Sequence, residues 1–194
     1  MAKIKSAKPD VVVTANWGND LTLLVKAAGE SRLNASFYTY FGSLYGAATV
    51  MGDSAVDRVV GVWRWHPNVP IVSEQQTREE YQRRYDREYY LTGDRMTIEL
   101  LAAAIERAGS TDPLRVGYAL EGLRLQSNMG EVWMRPDDHQ LLEPLYVLGL
   151  TRVDGREVKY GIEDTQTGTR TLARIEGADT AVPTRCKMKR PPRP

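Results

Sequence analysis

The stretch Pro9-Asp10-Val11-Val12-Val13-Thr14-Ala15-Asn16-Trp17-Gly18-Asn19-Asp20-Leu21 reads as a strand running directly into a helix start. Val11 to Val13 form a continuous β-branched run, the pattern of a strand covered on both faces. Asn19 is placed to cap a helix whose apolar stripe is Leu21, Leu24, Val25 and Ala28, and Gly29 is placed to end it. The turn Asn16-Trp17-Gly18 then lies at the carboxyl end of a parallel strand, where open α/β sheets bind their ligands. It offers free backbone N–H groups beside an aromatic ring. Trp17 either lines a pocket there or packs on a neighbouring loop.

Further along, Ala35 to Phe41 reads as a second strand, followed by a small-residue helix or turn, and Val59 to Trp63 as a third. His66-Pro67-Asn68-Val69-Pro70 is a stiff loop, since neither proline could join a sheet interior. From 72 to 90 tyrosines recur at helical spacing (Tyr81, Tyr85, Tyr89) among mixed charges that suit a solvated face. Thr97, Leu100, Leu101, Ala104, Ile105 and Ala108 share the face of a second helix stopped by Gly109. A third begins at Asp112-Pro113 and ends at Gly122. Strands return at 131–134, 145–152 and, after a turn at Asp154-Gly155, at 157–162. Together these predict an α/β fold, with strands at 10–15, 36–40, 58–63 and 145–152 in one sheet and the helices of 72–90 and 93–108 outside that lobe.

Composition narrows the function. With 26 basic and 25 acidic residues in 194, the net charge is +1, and no overall field points to nucleic acid. The longest apolar runs fall far short of the roughly 20 residues of a membrane helix. Met1-Ala2-Lys3-Ile4-Lys5 leads into the first elements without the apolar region of a secretion signal, which suits a cytoplasmic protein or one whose front end lies elsewhere. The single cysteine, Cys186, excludes an internal disulfide and reads as a chance surface thiol.

Catalytic chemistry has no support. Asp137-Asp138-His139 is the one cluster of acid and imidazole, but neighbouring side chains in an extended loop point apart, and a hydrogen-bonded turn at the strand entrance is the better reading. No phosphate loop, nucleophile elbow or zinc-binding helix is present, and neither a metal nor a cofactor is expected. The aromatic run Phe37-Tyr38-Thr39-Tyr40-Phe41-Gly42-Ser43-Leu44-Tyr45 says more. It ends the second strand and opens on the same sheet edge as Trp17, with alternation sending half of it into the core. Trp17, Gly18, Asn19, Tyr40 and Phe41 are therefore the candidate ligand-binding residues.

With these pieces in order, the chain resembles the ligand-binding proteins of branched-chain amino acid ABC transporters, the type I periplasmic binding proteins. The resemblance covers residues 3 to about 150. It rests on Pro9-Asp10-Val11-Val12-Val13 leading to Gly18-Asn19-Asp20, on Leu100-Leu101-Ala102-Ala103-Ala104-Ile105-Glu106-Arg107-Ala108-Gly109-Ser110-Thr111-Asp112-Pro113, and on Gly130-Glu131-Val132-Trp133-Met134-Arg135-Pro136-Asp137-Asp138-His139-Gln140. It implies two α/β lobes closing over a solute that passes to a membrane permease in the periplasm, with no chemistry done. It also implies that only the back half of such a protein is present, so that a missing amino-terminal half, or a second copy of the chain, is an expected partner.

On that scheme 1–65 is the α/β portion of lobe two, with a mostly parallel sheet. Residues 66–128 are helices returning to an incomplete lobe one and crossing the hinge. Residues 129–182 are hinge and lobe-two strands, and 183–194 a mobile basic tail. Amino-acid binders of the family carry a tyrosine in the first strand-to-helix turn and an acid after the next strand to hold the ammonium. Trp17 and Phe41 occupy those places, which shifts the expected solute toward an amide, a hydroxy or keto acid, or an aromatic carboxylate. A cytoplasmic ligand-sensing module of the same fold is the alternative.

Overall fold

The structure, a computed structural model, describes residues 1–43, 46–90 and 92–193. Leu44 and Tyr45 of the aromatic run, and Pro194 of the tail, lie outside these residues. In chain order the elements are α1 (Ala2–Ala7), β1 (Val11–Val13), α2 (Gly18–Glu30), β2 (Ser36–Thr39), α3 (Ala47–Met51), a 3-10 turn (Gly52–Ala55), β3 (Val59–Trp63) and α4 (Val72–Tyr85). There follow α5 (Thr92–Ala108), α6 (Pro113–Leu120), β4 (Arg124–Ser127), β5 (Gly130–Met134), β6 (Leu141–Leu142), β7 (Leu145–Arg152), β8 (Thr167–Ile175) and a 3-10 turn (Gly177–Thr180). They group into two compact units, Met1–Tyr90 with Tyr146–Arg174, and Leu91–Leu145 with Ile175–Pro194.

The first unit is built on a sheet of order β1-β2-β3-β7-β8 among the described residues, β1–β2 and β2–β3 parallel and β3–β7 antiparallel. The four expected strands are all in it. Register assigns its faces, because in-register neighbours point the same way. Val12, Phe37 and Val59 align on one face, and Gly61 with Leu148 beside them. There Phe37, Val59 and Leu148 are buried against Leu21, Val25 and Ala28 of α2 and Ala47, Ala48 and Met51 of α3.

The other face carries Val11, Val13 and Tyr38, exposed by 46%, 82% and 44%, with the half-exposed Leu172 lying against Gly149. The expectation that β1 is covered on both faces is therefore corrected. As the edge strand, its odd-numbered valines have no layer above them.

Local readings are corrected in the same way. α2 starts at Gly18, with Trp17 in extended conformation before it and no side-chain cap, so Asn19 lies within the first turn instead of capping it. Nor does Gly29 end α2. A Cβ there would sit 2.3 Å from Ser54 Oγ, so glycine lets α2 approach the 3-10 turn that follows α3. The strand expected at 157–162 is reduced to a bridge between Gly161 and Gly168. Asn68 accounts for this: its Oδ1 accepts from the Lys159 and Tyr160 N–H groups at 2.9 Å, and its Nδ2 donates to the Tyr160 and Thr169 carbonyls at 3.0 Å. One side chain takes the place of a ladder, and β8 pairs with β7 instead.

The segment 66–90, expected with lobe one, groups with the first unit. α4 buries Glu74 and Arg78, and Arg78 reaches Gly161 and the ring of Tyr160. Within α4, Tyr81 packs its ring at a tilt against both Tyr85 and, just beyond the helix, Tyr89, which in turn meets Trp65 edge-on.

In the second unit α5 packs on α6, and β4, β5 and β6 form an antiparallel sheet. Asp112 caps α6 as the sequence predicts, accepting from Leu114 and Arg115 N–H at 3.1 and 3.0 Å, with Pro113 first in the helix. The buried stripe of α5 is Thr92, Gly93, Met96, Leu100 and Ala104, which leaves Leu101, expected inside, exposed.

The two sheet faces differ in what they tolerate. Phe37→Ala is expected to cost about 3–5 kcal/mol in urea unfolding, since it empties a fully buried site. Val13→Lys, on the open face, is expected to stay within about 0.5 kcal/mol.

Candidate functional site

β1 and β2 are adjacent and parallel, so the turns after them leave the same edge of the sheet. Pairing persists to that edge, where the Thr14 N–H donates to the Tyr38 carbonyl at 3.0 Å. Trp17 stands there 72% exposed, followed by Gly18 at φ +54°, a left-handed conformation that favours glycine, with open space around the position of a Cβ. Asn19 is exposed in the first turn of α2. The first N–H groups of α2 have no side-chain cap, and its dipole directs partial positive charge to this edge.

Tyr40 is 64% exposed, whereas Phe41 turns inward against the core, the two rings meeting edge-on at 6.4 Å. The edge thus brings Trp17, Gly18, Asn19 and Tyr40 to the surface and gives Phe41 a partly structural position.

A second polar group lies in the same unit. Glu163 Oε1 accepts from the Gly46 N–H and from the Tyr90 hydroxyl at 2.9 Å, and its Oε2 accepts from Thr49 Oγ1 at 2.6 Å, which ties the start of α3. The Glu163 N–H donates in turn to Glu88 at 3.1 Å. Glu88 receives both Nε and an Nη of Arg78, at 2.8 and 3.1 Å, in a pair whose side chains are 8% and 4% exposed. A cavity of about 530 Å3 opens beside this group, lined by Gly46, Thr49, Gln82, Asp86, Glu88 and Glu163 among others. Sequence reasoning missed it entirely. Glu163 lies 117 positions from Gly46, and no local pattern signals the pairing.

The stiff loop before α4 holds His66, 2% exposed, between Thr169 Oγ1 at 3.0 Å from Nδ1 and Thr171 Oγ1 at 2.9 Å from Nε2. Burial lowers its pKa to about 4, so the ring is neutral in the fold at pH 7.

The Asp137-Asp138-His139 cluster is the turn it was expected to be. Arg135 Nε donates to Asp138 Oδ1 at 2.9 Å, the Gln140 N–H donates to the same oxygen at 3.1 Å, and His139 takes φ +56°. The hydrogen bond from Arg135 holds the Asp138 carboxyl well below the usual carboxylate range. Among the described residues no group of three or more His, Cys, Asp and Glu side chains could hold a metal ion. None of the described helices is long and apolar enough to cross a membrane.

A mostly parallel sheet whose adjacent strand ends carry an uncapped helix start and exposed aromatic rings is the setting in which open α/β sheets bind ligands. The chain belongs to the periplasmic binding protein family, whose sequence profile matches residues 1–157. Family and relatives are substrate-binding proteins, not enzymes.

The chain is 28% identical over 202 residues to Leu/Ile/Val-binding protein homolog 4 of Brucella melitensis, covering 98% of this chain and 47% of that protein. It is similar to the closed crystal structure of a leucine-, isoleucine-, valine-, threonine- and alanine-binding protein from Brucella ovis, with TM-score 0.84 and 28% identity over 98% of this chain and 50% of that one. The fold also matches a solute-binding protein of an ABC transporter from Rhodopseudomonas palustris in complex with benzoate, with TM-score 0.70, 18% identity and 96% and 49% of the two chains covered. The chain spans about half the length of the relatives it matches.

Two outcomes test this geometry. Arg78→Ala strands a buried carboxylate and is expected to cost about 3–5 kcal/mol, whereas the double change Arg78→Met with Glu88→Leu is expected to cost less, both read by urea unfolding. For His66 the folded pKa lies below the unfolded value of about 6.5. Its contribution is therefore complete above pH 6.5 and is lost as pH falls toward 4, by about 3 kcal/mol in all. His66→Gln is expected to remove that part of the pH dependence.

Proposed function

We propose that this chain forms part of the solute-binding component of an ABC importer of the branched-chain amino acid type, working in the periplasm and delivering its solute to a membrane permease. It captures a small amino acid, amide or organic acid when a second lobe closes over the sheet edge. The observation that carries this reading is the edge after β1 and β2, where Trp17 is 72% exposed beside the free N–H groups of α2. Family membership and the solute-binding Brucella relatives support it. Trp17, Gly18, Asn19 and Tyr40 contact the solute, the indole by stacking and the backbone by donating to its polar end. Phe41 forms the floor.

Charge decides the solute. Phe41 presents no carboxylate to an ammonium, and an unpaired ammonium buried by lobe closure is strongly disfavoured. A solute with a carboxylate or amide but no amine therefore fits this edge better than leucine does. The test uses a chimera in which this chain replaces the matching part of the Brucella melitensis relative. Calorimetry is expected to give tighter binding of 4-methyl-2-oxopentanoate than of leucine, with Phe41→Glu narrowing or reversing the order. Trp17→Ala is expected to weaken binding by about 1 kcal/mol or more while leaving the thermal midpoint nearly unchanged. Micromolar leucine binding by the unaltered chimera, with the oxo acid weaker, would place the ammonium partner elsewhere, with Asp20 in the first turn of α2 the nearest acid in sequence.

A further inference from the structure

The chain ends in Lys189-Arg190-Pro191-Pro192-Arg193-Pro194, a basic proline-rich run. Up to Arg193 it has no regular secondary structure and is almost wholly exposed, yet it is held. Glu121, which follows α6, is the anchor: its side chain is 7% exposed, its Oε1 lies 3.1 Å from Arg190 Nη1, and its Oε2 lies 3.2 Å from Arg193 Nη2. One carboxylate thus meets one guanidinium on each oxygen, with the His139 Nε2 also 3.3 Å from Oε1. The sequence makes this possible, because prolines favour the polyproline II helix of three residues per turn, which brings positions i and i+3 to one edge.

α6 supplies the rest. The Tyr118 hydroxyl donates to the Pro191 carbonyl, and the Arg193 guanidinium stands over the Tyr118 ring, 5.0 Å from its centroid. Arg190 also donates to the Pro136 carbonyl. Between tail and helix a cavity of about 120 Å3 is lined by Leu114, Gly117 and Tyr118 on one side and Met188 and Pro191 on the other.

An aromatic ridge flanked by a covered acid is the chemistry that recognises basic polyproline segments: the ring packs on proline, and the carboxylate reads arginine. We infer that α6 and Glu121 form a receptor groove for an Arg-Pro-Pro-Arg segment, and that the tail of this same chain is its displaceable occupant. Arg193 remains 73% exposed at its side chain, so the tail is held from one side only and exchanges with the same sequence supplied in trans.

The test titrates a fluorescein-labelled peptide of residues 187–194 into two forms of the full chain, wild type and Arg190→Ala/Arg193→Ala, with fluorescence anisotropy as the readout. The variant keeps the groove and releases its occupant, so it is expected to bind the peptide at least tenfold more tightly than wild type. Adding Glu121→Gln is expected to remove that gain, and Tyr118→Phe to reduce it severalfold, with far-UV circular dichroism checking that each variant is folded. Equal binding to wild type and variant overturns the inference, since the tail then does not occupy the groove. So does an absence of saturable binding to the variant. Binding that survives both Glu121→Gln and Tyr118→Phe overturns it too, as charge attraction without a groove.

Discussion

The first unit depends on one buried charge. Glu88 sits 4% exposed, and a carboxylate in that position is tolerable only when its oxygens are filled. Arg78 fills them from α4, the Tyr89 N–H from the chain immediately following, and the Glu163 N–H from the loop before β8. Satisfying that carboxylate therefore joins α4 and the chain just after it to the loop before β8, 75 positions away. It also fixes the backbone of Glu163, whose own carboxylate reaches the start of α3. The lower the local dielectric, the stronger each of these bonds and the greater the penalty for losing one.

Around that anchor the sheet works by asymmetry. Parallel pairing of β1, β2 and β3 sends both crossover helices, α2 and α3, to the face carrying Phe37 and Val59. The same pairing brings two strand ends to one edge, where the chain must turn and the first N–H groups of α2 have no partner from a side chain. An exposed indole, Trp17, stands beside those donors. The one cluster of acid and imidazole, Asp137 to His139, is divided: Asp138 is held within its own turn, while the His139 ring lies 3.3 Å from Glu121 Oε1.

Much of this was legible along the chain. Val11–Val13 and Val59–Trp63 are strands because β-branched runs bounded by turn residues have few other stable conformations, and α6 begins at Pro113 because Asp112 and proline act through their immediate neighbours. Strand ends placed Trp17 and Tyr40 near one sheet edge, but left open whether Trp17 faced a pocket or packed on a loop. What local pattern could not carry were ends and partners. Asn19 has a capping side chain, but α2 begins one residue earlier; Gly29 has the look of a stop, but its role is to admit Ser54. Residues 157–162 alternate like a strand, but Asn68 reaches their backbone first.

The sequence by itself determined the four strands at Val11–Val13, Ser36–Thr39, Val59–Trp63 and Leu145–Arg152, the helices α2, α5 and α6, and the cap that starts α6. These follow from interactions within a few residues, or from a periodicity that a single element imposes. Tertiary structure alone decided that β1 is an open edge, that α4 belongs with the sheet, that Glu163 and Glu88 meet, and that the tail returns to Glu121. Each of these is a long-range pairing in which a buried polar or apolar group accepts whichever partner the packed chain delivers, and no spacing along the chain records that choice.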